Sequence, residues 1–372
     1  MRNFTKTTAN LKTVTGKFHH TNVGKLDTEE LYIGDKNVLD LIQEENVEMK
    51  DFINRIPVGD NEYYMIYDDA GQPVYTNLPE KKYGDFFRYS PIIFIPDWAK
   101  KYVFVGNNMF ARCSQLKIVK RDDIDFSSLT RASDVFRWCD SLESLDCDMS
   151  TITYAGNVAS HCSNLKTINI NLDSLNNGYY AFEHNTKLES FTSSFPALTT
   201  QTGMFSYCES LPAFNVDMPL LTNGQYMFRY CYKLASFSCN LSSLTSGNYM
   251  FSNCKSLSDF TSNIENLTNG NNMFEVCSSL NNFTSKLTSL TNGNNMFYGC
   301  KLNKASVMNI INSIKNDNTL ASGSGGITIG IDASLKTDTE LLEFLGLTNG
   351  VNTSIKVTNP KGISWTIYIA WN

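Results

Sequence analysis

Eight of the ten cysteines recur in one register, at Cys113, Cys139, Cys162, Cys208, Cys231, Cys254, Cys277 and Cys300, and only Asn185 breaks the column. Thiols in such numbers can bind zinc, cross-link or attack a substrate. Zinc takes its thiolates as CxxC pairs, which a ladder stepping by 23 residues does not supply. Stacked coils would bring neighbouring Cα atoms near disulfide distance, but an inward column of small apolar side chains explains the ladder by packing alone. Cys147 and Cys239 each fall two residues after a core position, Leu145 or Phe237, where sister repeats carry Ile170 and Val216. They too are expected in the core.

A second candidate stands beside the first. The residue just before each column position reads Trp138, His161, His184, Tyr207 and Tyr230 in successive repeats. Inward positions flank it, so these rings are expected to point outward as an exposed aromatic strip. Such a strip suits sugar faces or a partner's apolar patch. The competing reading is that the rings shield the turn beneath them. Two histidines in one column are also a residue type that metals use, but neither a metal nor a cofactor is assigned. Catalysis has little to work with: there are four histidines in all, and no G-x-S-x-G, H-E-x-x-H, P-loop or paired-carboxylate pattern. The run "SGSGG" at 322–326 lacks the following lysine and strand–helix setting of a phosphate cradle, and reads as a connector. No enzyme is expected.

These columns require a scaffold that repeats. Met204-Phe205, Met227-Phe228, Met250-Phe251, Met273-Phe274 and Met296-Phe297 follow one another at 23-residue steps. The register runs back in weaker form through Ala181-Phe182 and Val158-Ala159 to Val135-Phe136, with Met109-Phe110 a further 26 residues earlier. The stretch "LTNGNNMF" occurs twice unchanged, at Leu267 to Phe274 and Leu290 to Phe297. A fixed period of this size marks a solenoid. Each coil can hide its apolar positions only against its neighbours, stacked about 4.8 Å apart. The glycine of "TNG", at Gly178, Gly224, Gly247, Gly270 and Gly293, is expected to supply a turn with positive φ. Small polar residues such as Ser190, Thr192, Ser236 and Ser238 flank the core phenylalanines and predict a smooth, hydrated strand face.

The pattern "MFxxCxxLxxFxxxLxxLTNG" resembles the BspA-type leucine-rich repeat, also known from treponemal surface proteins, whose usual unit is close to "AFxxCxxLxxIxLPxxLTxIG". The resemblance covers about Val105 to Leu302, with Met in place of Ala before Phe and the proline mostly lost. It implies a leucine-rich repeat solenoid of 23-residue coils, β-rich within an α+β whole. In this family a short strand follows the Leu and a second stretch follows the "LT".

The ends differ from the repeat. Residues 1–25 are polar and read as an extended attachment arm. Residues 26–104 read as a mixed α/β docking domain and N-cap, with helical spacing in the second half of 26–56 and a hairpin over 61–77. The repeats fill 105–302, and 303–372 reads as an α+β C-terminal cap: a helix over 303–317, a strand at "ITIGI", a helix near Thr337 to Leu345 and a final hairpin. This tail resembles those of BspA-type proteins encoded in Bacteroidetes phages.

At 372 residues, 42% of them hydrophobic, the chain can bury a real core, and a net charge of −6 argues against nucleic acid as a partner. The first 30 residues hold no signal-peptide core, and no run of about 18 apolar residues spans a membrane. Synthesis in a cytoplasm with reduced thiols is therefore expected. With the two resemblances, the expectation is a non-catalytic phage virion protein, a tail or head fibre. Its solenoid would recognise a bacterial surface glycan or protein, and its N-terminal region would dock to other virion proteins, in a homotrimer. The alternative is a BspA-like adhesin of the bacterial cell surface.

Overall fold

The computed structural model describes residues 107–315, 326–359 and 364–372, with the short pieces 32–33, 36–37, 88–89, 93 and 95. The arm at 1–25, the helical spacing within 26–56, the hairpin at 61–77 and most of "SGSGG" lie outside the described residues. Within 26–104, β1 (Tyr32–Ile33) and β2 (Lys36–Asn37) pair antiparallel.

One short strand follows the leucine of each repeat. The parallel sheet β3-β4-β5-β6 contains Ile118–Val119, Ser144–Asp148, Thr167–Asn171 and Ser190–Thr192. Further along, β7 (Ala213–Phe214) pairs with β8 (Ser236–Phe237), and β9 (Asp259–Phe260) with β10 (Asn282–Phe283), again parallel. The register aligns Val119, Leu145, Ile168 and Phe191, then Phe214 with Phe237 and Phe260 with Phe283. Successive strand side chains point to opposite faces. β4 and β5 are longer because each buries two alternate residues, Leu145 with Cys147 and Ile168 with Ile170. β3, β7, β8, β9 and β10 bury one residue each, and Phe191 of β6 is half-buried.

The second stretch forms a ladder of parallel bridges running from Arg131 and Tyr154 through Asn177, Thr200, Asn223, Ser246 and Asn269 to Asn292. The threonine of "LT" explains itself here. Thr222, Thr245, Thr268 and Thr291 each donate a hydroxyl hydrogen bond of 2.9–3.0 Å to the carbonyl of the threonine one coil back.

Phenylalanine fills the core in two interleaved columns. Phe205, Phe228, Phe251, Phe274 and Phe297 stack at 5.4–5.6 Å. The strand column Phe214, Phe237, Phe260 and Phe283 steps at 5.8–6.2 Å and meets the first edge-on, an arrangement the ring quadrupole favours.

The glycines of "TNG" correct the expectation made for them. Among the described residues the glycines with positive φ are Gly203, Gly299 and Gly346, none of them in that column. The column glycines instead make room for the next coil. A Cβ on Gly224, Gly247 or Gly270 would lie 2.8–3.0 Å from the sulfur of Met250, Met273 or Met296. The sharp corners fall to other residues, described below.

Within the last repeat, β11 (Gly293–Leu302) leads into α1 (Lys304–Lys315), which buries Val307, Ile310, Ile311 and Ile314. β12 (Gly326–Ile331), α2 (Thr339–Leu345), β13 (Thr353–Thr358) and β14 (Ser364–Trp371) follow, close to the elements read from the sequence. The sheet order is β11-β12-β14-β13, with β13 antiparallel and the others parallel. Through β11, β12 lies directly on the final coil, Phe297 opposite Ile329. No helix of the described residues is long and apolar enough to cross a membrane.

Candidate recognition surface

Each coil turns a corner between its phenylalanine and its cysteine. In the coil of Phe136 the amide of Cys139 donates to the Phe136 carbonyl at 3.2 Å, closing a four-residue turn whose third member is Trp138. That position takes positive φ, with values of 63° at Trp138, 60° at His161, 59° at His184, 60° at Tyr207 and 62° at Tyr230. Glycine or asparagine fills such a turn position most easily. Asn253 and Gly299 do so in later coils, whereas the five ring-bearing residues, like Arg112 and Val276 in the same column, hold their places at some cost in backbone strain.

The structure brings all five together. Ring centroids lie 4.1 Å apart for Trp138–His161, 4.6 Å for His161–His184, 4.2 Å for His184–Tyr207 and 4.6 Å for Tyr207–Tyr230. The expectation of an exposed strip needs one change, because the rings are half-buried. Coil spacing is close to the separation of two stacked rings, so each ring covers its neighbour's face. The ends are covered too, by the guanidinium of Arg112 over Trp138 at 5.5 Å and that of Arg229 over Tyr230 at 4.7 Å. What reaches solvent is a row of ring edges.

A second row was not read from the sequence. Four residues before the ring column lies another positive-φ column, occupied by Tyr180, Gly203, Tyr226 and Tyr249. Tyr226 and Tyr249 stack at 5.2 Å. Tyr180 lies across Gly203, where a Cβ would come within 2.3 Å of its ring. Arg229 joins the rows, its guanidinium 5.4 Å from the Tyr226 ring, 4.7 Å from Tyr230 and 5.2 Å from Tyr249. The available signal was the mixture of Asn, Asp, Gly and Tyr at one repeat position, three of which favour left-handed backbone.

Electrostatics keep the first row uncharged. Burial, helped by His184 and Arg137, pushes the His161 imidazole down to about 4, and burial also lowers His184. Glu183, beside His184 in sequence, is pushed up to about 7 by burial, with Arg137 opposing. Neutral imidazoles stack without the penalty of a buried charge.

The cysteines are all buried, as the packing reading expects, and no disulfide joins them, yet they do more than pack. Each of Cys139, Cys162, Cys208, Cys231, Cys254, Cys277 and Cys300 donates its thiol at 3.0–3.3 Å to the phenylalanine carbonyl of the preceding corner. Asn185 fits the same scheme, donating Nδ2 to the Ala159 carbonyl at 3.0 Å. Burial raises Cys239 to about 12 and Cys231 and Cys254 well above the ordinary range, so these thiols are not poised as nucleophiles.

The strand face is polar, and much of it is bonded along the ladder. Thr167 donates to Ser144 at 3.0 Å, and Asn169 and Asn282 donate to Asp146 and Asp259 at 3.2 Å. Where the sheet breaks between β6 and β7, a cavity of about 500 Å³ opens against Phe191, Phe195, Val216 and Asp217.

A family profile described as "BspA type Leucine rich repeat region" matches residues 86–212 and 198–320. Among solved structures, a leucine rich cell surface protein from Faecalibacterium prausnitzii A2-165 aligns at 22% identity with a TM-score of 0.32, over 46% of this chain and 43% of its own. The chain thus spans less than half the length of that protein. A leucine-rich repeat protein from Bacteroides ovatus ATCC 8483 aligns at 15% identity with a TM-score of 0.21, over 80% of this chain and 90% of its own. No curated protein matches the sequence.

Proposed function

The chain belongs to the BspA-type leucine-rich repeat family, and from that premise we propose that it is a non-catalytic recognition protein displayed at a bacterial cell surface. The observation that carries the reading is the continuous ladder from Trp138 to Tyr230, five rings held at positive φ where glycine or asparagine would serve the turn better. Arg112 and Val276 take the same backbone conformation, so it is the unbroken run of rings on strained positions, and not the strain alone, that supports the reading. The ligand class is a surface glycan or a protein patch that meets ring edges and tyrosine hydroxyls; it does not stack on open ring faces. In this reading the 23-residue coils are the stacking units, and the segment from α1 to β14 is the cap that covers the last coil's open edge. The virion-fibre reading shares this recognition surface and differs in where the protein is displayed.

Attachment and location are tested separately. The full-length protein, labelled, is presented to bacterial and epithelial cells and to a glycan array. Tyr207→Asn with Tyr230→Asn should abolish most binding while the protein stays folded. Unchanged binding would remove the ladder from recognition and turn attention to the cavity at Phe191. Antibody labelling of the producing organism should mark the cell envelope; label confined to released particles would replace the adhesin with the virion fibre.

A further inference from the structure

His161 and His184 occupy the same position in adjacent coils, and their rings stack at 4.6 Å with 27° between the planes. Glu183 comes just before His184, its Oε1 3.9 Å from His184 Nε2. One donor atom from each of the three side chains lies within 4.8 Å of the other two. We propose that His161, Glu183 and His184 form a site for a divalent transition-metal ion of the zinc class, contrary to the expectation of no metal from the sequence.

The donor set is the first reason. Two imidazole nitrogens and one carboxylate oxygen are what zinc takes where it keeps positions open for water or a ligand. Imidazole also turns the site away from magnesium and calcium, which prefer all-oxygen shells. Unpaired polar atoms are the second reason. His161 Nδ1 is buried without a hydrogen-bond partner, as is Ser160 Oγ next to it in sequence. Buried polar atoms seldom stay unpaired, and a bound ion with its coordinated water supplies partners where the solenoid does not.

Arg137 works against a cation here, but Asp134 already holds its guanidinium at 2.9 Å. The solenoid carries its own control. Four coils on, Asn253, Glu275 and Val276 occupy the same three positions, and Glu275 there accepts a hydrogen bond of 3.2 Å from Ser252. That coil has the carboxylate without the imidazoles.

Zinc alone is the probe, so the result does not depend on any glycan or protein ligand of the ladder. Full-length protein stripped with EDTA and dialysed is titrated with zinc chloride by calorimetry. One equivalent per chain is expected, and H161N, H184N and E183Q should each weaken binding by about tenfold or more. Asparagine is chosen because Asn253 shows that this corner accepts it, at φ 65°. The variant H19Q/H20Q, which removes the other two histidines of the chain, should bind as the wild type does. If a substitution disrupts folding, the H19Q/H20Q protein loaded with copper gives a second reading, because two nitrogen ligands leave a resolved splitting pattern in the electron paramagnetic resonance spectrum. No zinc uptake by the wild type, uptake unchanged by the three substitutions, or a copper spectrum without two nitrogen donors would overturn the proposal.

Discussion

Gly224 and Met250 share one space: a Cβ on the glycine would stand 2.8 Å from the methionine sulfur in the next coil. The relation recurs at Gly247 with Met273 and at Gly270 with Met296. Where the glycine column carries Ala132 or Ala155, the position 26 residues on carries Val158 or Ala181 in place of methionine. Gln201, which has Met227 26 residues on, departs from this, and the exchange of volume is confined to the other coils.

Gly224→Ala should therefore destabilise the protein by about 1–3 kcal/mol, as overpacking does. Adding Met250→Val, the residue found opposite Ala132, should recover part of the loss. Urea denaturation of both single variants and the double variant measures the coupling. Additive effects would show that the two columns do not compete for volume.

The thiols should be silent in the native state. Alkylation should label Cys231 and Cys254 slowly until denaturant is added, since both are buried and burial raises their pKa. Rapid native labelling would contradict the inward column. Phe251→Ala should cost about 3–5 kcal/mol by emptying a fully packed site between Phe228 and Phe274. A loss below about 1 kcal/mol would mean that the spine is not a packed core.

The ring column should show its backbone strain. Tyr207→Ala loses stacking on His184 and Tyr230 while keeping φ at 60°. Tyr207→Gly loses the same contacts and relieves the backbone, so it should be the more stable variant by about 1 kcal/mol. Equal stabilities in thermal melts would remove the strain on which the recognition reading depends.

Acid should loosen α2. The Asp338 carboxylate accepts from the Leu341 amide at 2.8 Å and from Lys304 Nζ at 3.0 Å, with Glu340 also on that lysine. These bonds, the Leu341 amide first, hold Asp338 below its ordinary value. A depressed carboxyl contributes stability that is present above the unfolded value of 3.8 and is lost as pH falls through the folded one. Asp338→Ala should thus be less stable than the wild type at neutral pH, with the gap closing in acid. A pH-independent gap would assign the effect to packing.

Much of the fold was legible before any coordinates. Periodicity placed the inward Met, Phe, Cys and Leu columns, because burial repeats with the coil; the family resemblance implied the short strand after each leucine, and local spacing gave the elements from α1 to β14. That the five ring residues share one column was legible for the same reason.

Residue type could not report what depends on two coils at once. Whether a ring offers its face or its edge depends on the coil spacing, and stacking closed the faces of Trp138, His161, His184, Tyr207 and Tyr230. Whether a glycine bends the chain or clears a space depends on the side chain 26 residues later, and Met250 decided it for Gly224. The second tyrosine row and the approach of Glu183 to two imidazoles arise in the same way, from contacts across stacked corners. The sequence by itself determined a repeating coil and its interior. The tertiary structure decided the chemistry of the corners, because their side chains meet only once the coils are stacked.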